Sequence, residues 1–293
     1  MKQVKHAVIL LAGKGTRFLP ATKAVAKEIF PIGNKPALLF LLKECLDSGI
    51  EEVTLVLSKQ KKDIIKFLKH DKQIESLIQG TNKEKLLDEW REIIDNLKFN
   101  FTYQGKMNGS AGAVLSARKY TKNEPFVVFN GDDVYIEKDG DKPATKQIIE
   151  CFEKTGKNVL GCYKVSDDIV DRYGIVIPGD KIDDSTIYVK GFKEKPKKGE
   201  QPSNLAAIGR YLVVPEIYDN ILKIKPSANG ETYFPEAIAL EVEKENVLAY
   251  EINAKYYDLG NKIEFIKCTI ETALKDEEIK GELQDYINSL SSK

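Results

Sequence analysis

Short apolar runs rich in Val, Ile and Phe alternate along this chain with longer stretches in which apolar residues recur at helical spacing. Residues 7–11, 53–57, 99–103 and 126–130 read as strands, and residues 36–47 and 111–118 as helices between them. The first of these helices is opened by Pro36 and closed before Gly49; the second begins at a Gly-Ser-Ala-Gly turn. Each strand feeds a helix, so the pattern predicts an α/β fold with a mostly parallel sheet flanked by helices. The charged stretch 69–96 predicts one or two surface helices inserted between strands, with Trp90 packed against the body. In the second half, strands are expected at 159–164, 187–192, 206–213 and 247–252, and helices at 144–154, 234–244 and 263–274. Residues 193–203 read as a loop, and 276–293 as a weakly anchored tail helix.

The chain has 293 residues, 42% of them hydrophobic, enough for a sizeable core. Forty-five Lys and Arg balance 45 Asp and Glu, so no global field draws in nucleic acid or an anionic membrane. No apolar stretch approaches the roughly 20 residues that span a bilayer, and no signal-like segment opens the chain, so a cytoplasmic setting is expected. Cys45, Cys151, Cys162 and Cys268 are too scattered for a zinc site or a disulfide framework and are expected to be buried thiols. His6 and His70, the two histidines, read as strand-end or surface residues. Chemistry is therefore expected from carboxylates, lysines, arginines or a metal.

The first candidate for that chemistry is LAGKGTRFLPATKAVAKEIFP, residues 11–31. Gly13 and Gly15 let backbone N–H groups approach phosphate oxygens, Thr16 adds a hydroxyl, and Arg17 presents a planar fork of donors. The turn suits a nucleoside triphosphate, yet it is neither a P-loop nor the dinucleotide fingerprint, which would need a third glycine near Phe18. FVVFNGDDV, residues 126–134, then delivers two carboxylates at the C-terminal edge of a strand, where open α/β sheets bind ligands. By itself that pair is equally an ordinary strand-to-turn feature; beside the phosphate turn it favours Mg²⁺. Glu194-Lys195-Pro196 sets a carboxylate beside an ammonium, a pattern that alone reads as a solvated loop.

Taken together, AGKGTRFLPATKAVAKEIFPIGNKP (12–36), QGKMNG (104–109), GDD (131–133), RYGIV (172–176), EKP (194–196), SNLAAIGRY (203–211) and YDLGNK (257–262) resemble the bacterial UTP-glucose-1-phosphate uridylyltransferases. These belong to the wider sugar-1-phosphate nucleotidylyltransferases, and the resemblance spans nearly the whole chain. It implies the nucleotide-diphospho-sugar transferase fold: a Rossmann-like mixed sheet with a smaller β-rich sugar lobe. One catalytic domain would occupy 1–275, its nucleotide part mainly 1–135 and its sugar part mainly 136–262. The tail helix would follow.

The resemblance also implies roles. The backbone at Ala12 and Gly13, with Gln104 and Gly109, would recognise uracil. Gly15, Thr16, Arg17 and Lys27 would hold the triphosphate, and Arg17, Lys27 and Lys195 would be catalytic. Asp132 and Asp258 would bind Mg²⁺, while Gly174, Glu194 and Asn204 would line the sugar site. UTP and glucose 1-phosphate would be consumed, and UDP-glucose and pyrophosphate made, by a homodimer or homotetramer. Two stretches depart from the family pattern. Ser110-Ala111-Gly112-Ala113 replaces Leu-Gly-His-Ala, leaving dTTP open as the nucleotide. Residues 230–236, Gly-Glu-Thr-Tyr-Phe-Pro-Glu, replace Gly-Glu-Ile-Gln-Leu-Thr-Asp, leaving another hexose open. A binding regulator without turnover and a dinucleotide-dependent oxidoreductase are the rival classes. Retention of every reacting-phosphate charge argues against the first, and the missing glycine against the second.

Overall fold

The computed structural model describes residues 3–105 and 108–291. Strands β1 (His6–Leu10), β2 (Pro31–Ile32), β3 (Lys35–Pro36), β4 (Glu52–Leu57), β5 (Lys98–Tyr103) and β6 (Phe126–Asn130) come from the first part of the chain. There follow β7 (Asp133–Ile136), β8 (Asn158–Lys164), β9 (Gly174–Lys181), β10 (Thr186–Glu194), β11 (Leu205–Val213), β12 (Val247–Glu251) and β13 (Lys255–Asp258). Nine of them form one sheet in the order β5-β4-β1-β6-β11-β8-β12-β10-β9. The β5-β4-β1-β6 half is parallel throughout, whereas β11 runs antiparallel to both β6 and β8.

That strand order determines where a ligand belongs. From β1 the chain moves outward to β4 and β5, then returns to place β6 on the other side of β1. The carboxyl ends of β1 and β6 thus frame a topological switch point, the crevice where open α/β sheets bind ligands. Both predicted sequence features emerge there, the glycine turn after β1 and Gly131-Asp132-Asp133 after β6. The two loops touch: a Cβ on Gly131 would stand 2.6 Å from the Leu10 carbonyl oxygen, so glycine alone fits.

Apolar clusters cover both faces of the sheet. One holds the Ala37–Asp47 and Ala144–Thr155 helices; the other holds the Gly109–Leu115 and Phe234–Val242 helices. Leu38, Leu41, Leu42 and Cys45 recur on the inward side of the Ala37–Asp47 helix, which explains why that segment is helical and docked. All four cysteines are buried free thiols. Trp90 is buried in the helical insert and donates from Nε1 to the Phe67 carbonyl at 3.0 Å. His6 is buried at the foot of β1 beside Glu124, and His70 is exposed between Glu75 and Asp95. Among the described residues no helix is long and apolar enough to cross a membrane.

Five strands were not expected from the sequence, β2, β3, β7, β9 and β13; β2 and β3 pair only with each other as a two-residue hairpin. β7 and β13 form a separate two-stranded ribbon whose register pairs Asp133 with Asp258. β9 pairs with β10 and lies in the segment that the resemblance assigned to sugar binding. β10 also runs on to Glu194, so the expected loop begins two residues later than 193.

Candidate active site

The Asp132 carboxylate projects from the turn after β6 into a pocket of charge. Lys27 Nζ lies 2.5 Å from Asp132 Oδ2, and Arg17 Nη1 lies 3.9 Å from Asp258 Oδ2. Gly260 shows how closely these groups converge: a Cβ there would stand 2.8 Å from Asp132 Oδ2, 2.9 Å from Asp258 Oδ1 and 3.0 Å from Arg17 Nη2. Its backbone N–H donates to Asp258 Oδ1 at 2.8 Å, and Leu259 N–H donates to the Asp132 carbonyl at 2.8 Å. The ribbon of β7 and β13 therefore delivers Asp258 to Asp132 although 126 positions of sequence separate them. Charge follows geometry. Burial opposes the charge on Lys27, but Asp132 outweighs it and raises the pKa above the ordinary lysine value. Burial likewise works against ionised Asp132, yet Lys27 and then Arg17 hold it below the usual carboxylate range. Asp258 is raised, by burial first and then by repulsion from Asp132.

Lys27 is held by its own neighbours. Glu28 turns inward to a buried ion pair with Lys61, at 2.8 and 2.7 Å, and Ala26 N–H donates to Asp63 at 2.5 Å. Burial dominates that pair, raising Glu28 and lowering Lys61. Gly15 has φ 64°, which is what calls for glycine here; a Cβ would also stand 3.0 Å from Thr22 Cγ2, with the Lys27 stem at an ordinary contact distance of 3.5 Å. Thr16 and Arg17 begin the short turn that follows Gly15, both exposed.

Beneath the turn after β6, Asp133 points the other way. It accepts from Tyr256 Oη at 2.6 Å and from Asn130 Nδ2 at 2.8 Å, and burial, followed by repulsion from Asp132, pushes it up to about 7. Room for it is made by an irregularity in β11 at Gly209, where a Cβ would stand 2.1 Å from Asp133 Oδ2. The next residue, Arg210, is fully buried. It bonds Glu44 at 2.9 and 2.6 Å, donates to the Asp133 carbonyl at 3.0 Å and lies 4.2 Å over the Phe129 ring. The acidic turn thus rests on a buried ion pair linking the first helix to β11.

Two cavities open beside this charge cluster. The larger, about 880 Å³, is lined by Ala12, Gly13, Lys27, Gln104, Gly109 and Asp132 among others. The second, about 690 Å³, contains Glu194 and Lys195. They share Leu10, Gly109, Ser110, Asn130 and Glu231, so they are two ends of one cleft. A further cavity under the helical insert, about 660 Å³ and mostly apolar, lies around Trp90 and away from the acidic turn.

The sequence-predicted residues fall unevenly on this cleft. Ala12, Gly13, Lys27, Gln104, Gly109 and Asp132 line the larger end, with Gln104 Nε2 donating to the Gly109 carbonyl at 3.0 Å. Lys106 and Met107, inside the quoted 104–109 motif, lie outside the described residues. Glu194 and Lys195 line the smaller end, their charged groups 3.8 Å apart, with Lys195 at φ 44°. Gly174 pairs with Glu194 across β9 and β10, and a Cβ there would stand 3.0 Å from Glu194 Oε2. Asn204 stands apart from the others: its amide donates to the Val165 carbonyl at 3.0 Å and to Asp167 at 2.6 Å. Lys14, Asn130, Glu231 and Gly260 were missed. Asn130 directly precedes the Gly-Asp-Asp turn, and Gly260 lies within YDLGNK, so both sat inside motifs already in view. Glu231 lay in the 230–236 stretch that was compared with the family pattern, but no role was assigned to it.

Comparison with known proteins agrees with this geometry. The nucleotidyl transferase family model matches residues 6–274. A UTP–glucose-1-phosphate uridylyltransferase 2 from Staphylococcus saprophyticus is 39% identical over 290 residues, covering 99% of each chain. This chain belongs to the UTP–glucose-1-phosphate uridylyltransferase family of nucleotidyl transferases. Solved structures of the family superpose on it. A UDP-glucose pyrophosphorylase complexed with UDP-glucose gives a TM-score of 0.86 at 29% identity, covering 94% of this chain and 100% of the other. UTP-bound UGPase from Acinetobacter baumannii gives 0.88 at 27% identity, covering 98% and 100%.

Proposed function

We propose that this chain joins UTP and glucose 1-phosphate into UDP-glucose, releasing pyrophosphate. The observation that carries the reading is the continuous two-ended cleft, with Lys27 and Asp132 at one end and Glu194 and Lys195 at the other. Two phosphorylated substrates need such a site: one end for the nucleotide, one for the sugar, and cationic groups on both. Relatives named for UTP and UDP-glucose support the same substrates here.

In this account Ala12, Gly13, Gln104 and Gly109 hold the base and ribose end. Gly15, Thr16 and Arg17 hold the triphosphate with backbone N–H, hydroxyl and guanidinium donors. Lys195 meets the sugar phosphate while Glu194 and Gly174 position the hexose, and Asn204 braces the loop beside them through Val165 and Asp167. A phosphate oxygen of glucose 1-phosphate attacks the α-phosphorus of UTP in line; the bond to the bridging oxygen breaks and pyrophosphate leaves. The nucleophile is already ionised, so no histidine base is needed. Positioning and stabilisation of developing charge by Arg17, Lys27 and Lys195 carry the rate.

Mg²⁺ fits the space between Asp132 and Asp258. Both carboxylates face one gap kept clear by Gly260, and among the described residues no third acidic, His or Cys ligand joins them. That donor set matches a cation held by one or two carboxylates with substrate phosphates and water completing the shell. When bound there, the ion would neutralise phosphate charge. Lys27, which bonds Asp132 at 2.5 Å, would compensate phosphate charge as pyrophosphate departs.

The domain division and the cytoplasmic setting are part of the same proposal, as is a homodimer or homotetramer. Exposed Ile263, Ile266 and Ile270 on the Lys262–Ala273 helix support the last, and light scattering that shows a monomer would contradict it. The functional test is a pyrophosphate-release screen of UTP, dTTP, CTP and GTP against several sugar 1-phosphates with Mg²⁺. UTP with glucose 1-phosphate is expected to lead. Preference for dTTP would show that Ser110 to Gly112 changes the base, and silence across the screen would favour a binding protein.

A further inference from the structure

Glu231 stands where the two ends of the cleft meet, on a strip of chain stitched to the start of the Gly109–Leu115 helix. Thr232 donates to the Asn108 carbonyl from both its N–H, at 3.0 Å, and its hydroxyl, at 2.8 Å. The Thr232 carbonyl accepts from Ala111 N–H at 3.1 Å, and Phe234 N–H donates to Ser110 Oγ at 2.9 Å. Gly109, at φ 87°, would place a Cβ 2.3 Å from the Thr232 oxygen, so the strips touch without slack. The two segments that depart from the family pattern, around 110–113 and 230–236, are therefore one hydrogen-bonded unit.

That unit aims a carboxylate. Tyr233 Oη donates to Glu231 Oε2 at 2.8 Å and accepts from Asn229 Nδ2 at 2.6 Å, while Glu231 N–H donates to Asn229 Oδ1 at 3.0 Å. Among the described residues no group donates to Glu231 Oε1. A carboxylate only accepts, and it repels phosphate, so in a cleft for polyanions its useful partner is a hydroxyl. Tyr233, which anchors Glu231, and Glu236, which bonds Tyr233 N–H at 3.3 Å, line the sugar end beside Glu194 and Lys195.

We infer that Glu231, oriented by Tyr233, is a specificity-determining contact that accepts a hydrogen bond from a hydroxyl of the hexose. This rests on the uridylyl-transfer reading and gives a role to a residue that the resemblance left without one: Glu231 keeps the family's Gly-Glu, while Tyr233, which orients it, stands where the family pattern has Gln. Tyr233 acts through Glu231 and is a positioning residue.

The test is titration calorimetry of wild type, Glu231→Ala, Glu231→Gln and Tyr233→Phe with UDP-glucose and with UDP, which lacks the hexose. Loss of a charged hydrogen bond is expected to weaken UDP-glucose about tenfold in Glu231→Ala, with a smaller loss in Glu231→Gln and Tyr233→Phe. UDP affinity is expected to stay within about twofold, which also reports that the variants are folded. In turnover, KM for glucose 1-phosphate should rise while KM for UTP holds. Wild-type affinity for UDP-glucose in Glu231→Ala, or an equal loss for UDP, would overturn the inference. A wild-type protein that binds no UDP-glucose would instead overturn the functional reading beneath it.

Discussion

Gly260→Ala separates the metal cradle from the stability of the fold. The added methyl would stand 2.8 Å from Asp132 Oδ2 and 2.9 Å from Asp258 Oδ1, closer than a carbon and an oxygen pack without strain. Mg²⁺ sits about 2.1 Å from its oxygen ligands, so an ion shared by these carboxylates would need the volume that the methyl takes. Metal neutralisation of phosphate charge contributes several kcal/mol to the transition state, and about 3–4 kcal/mol corresponds to roughly 10²–10³ in rate. The backbone at Gly260 lies outside the left-handed region, so alanine is conformationally acceptable and recovers about 0.4–1 kcal/mol of unfolded-state entropy, offsetting part of the crowding. Turnover with UTP and glucose 1-phosphate is expected to fall at least about a hundredfold and not to recover in excess Mg²⁺. Thermal unfolding in chelator should move by only a few degrees. Normal turnover at limiting Mg²⁺ would refute the placement of the ion between Asp132 and Asp258.

Lys195→Ala should lower turnover by about 10²–10³ while the unfolding midpoint holds, because the exposed ammonium contributes little to packing and alanine inherits the same φ of 44°; near-normal turnover removes it from the mechanism. Asp133, pushed up to about 7, retains a proton in the native state over a range where an unfolded Asp, near 3.9, has lost it. Its contribution to stability is therefore fully present below about pH 4 and lost as pH rises through 7. Asp133→Asn stays neutral, so its urea midpoint, compared with wild type without metal, should improve from pH 5 to about 7 and level off above it; parallel curves would contradict this. Arg210→Met leaves Glu44 buried without its partner and should cost about 3–5 kcal/mol by urea unfolding, with a loss below about 1 kcal/mol opposing the view that this pair props the acidic turn.

The parts of the fold legible in the sequence were those encoded by local pattern. β1, β4, β5 and β6 are apolar runs bounded by turns, and they lie where residues 7–11, 53–57, 99–103 and 126–130 were expected. β7 and β13 were not legible, because a four-residue ribbon carrying Asp133, Tyr256 and Asp258 has no apolar alternation to mark it. The same limit applies to the site. Ala12, Gly13, Lys27 and Asp132 sit in recognisable phrases and meet in one cleft. The buried pair of Glu44 and Arg210 joins residues 166 positions apart, and no spacing in the sequence announces it. Gly209 reads as one more glycine until Asp133 is seen against it. Asn204 was legible as part of a motif, but its side chain is spent on Val165 and Asp167.

The most direct measurement follows oxygen atoms through the reaction. Glucose 1-phosphate with ¹⁸O in its non-bridging phosphate oxygens is incubated with UTP, Mg²⁺ and the protein, and the products are weighed by mass spectrometry. Attack by the sugar phosphate on the α-phosphorus requires all of the label to appear in UDP-glucose and none in pyrophosphate. Label in pyrophosphate, or no UDP-glucose at all, would contradict the account.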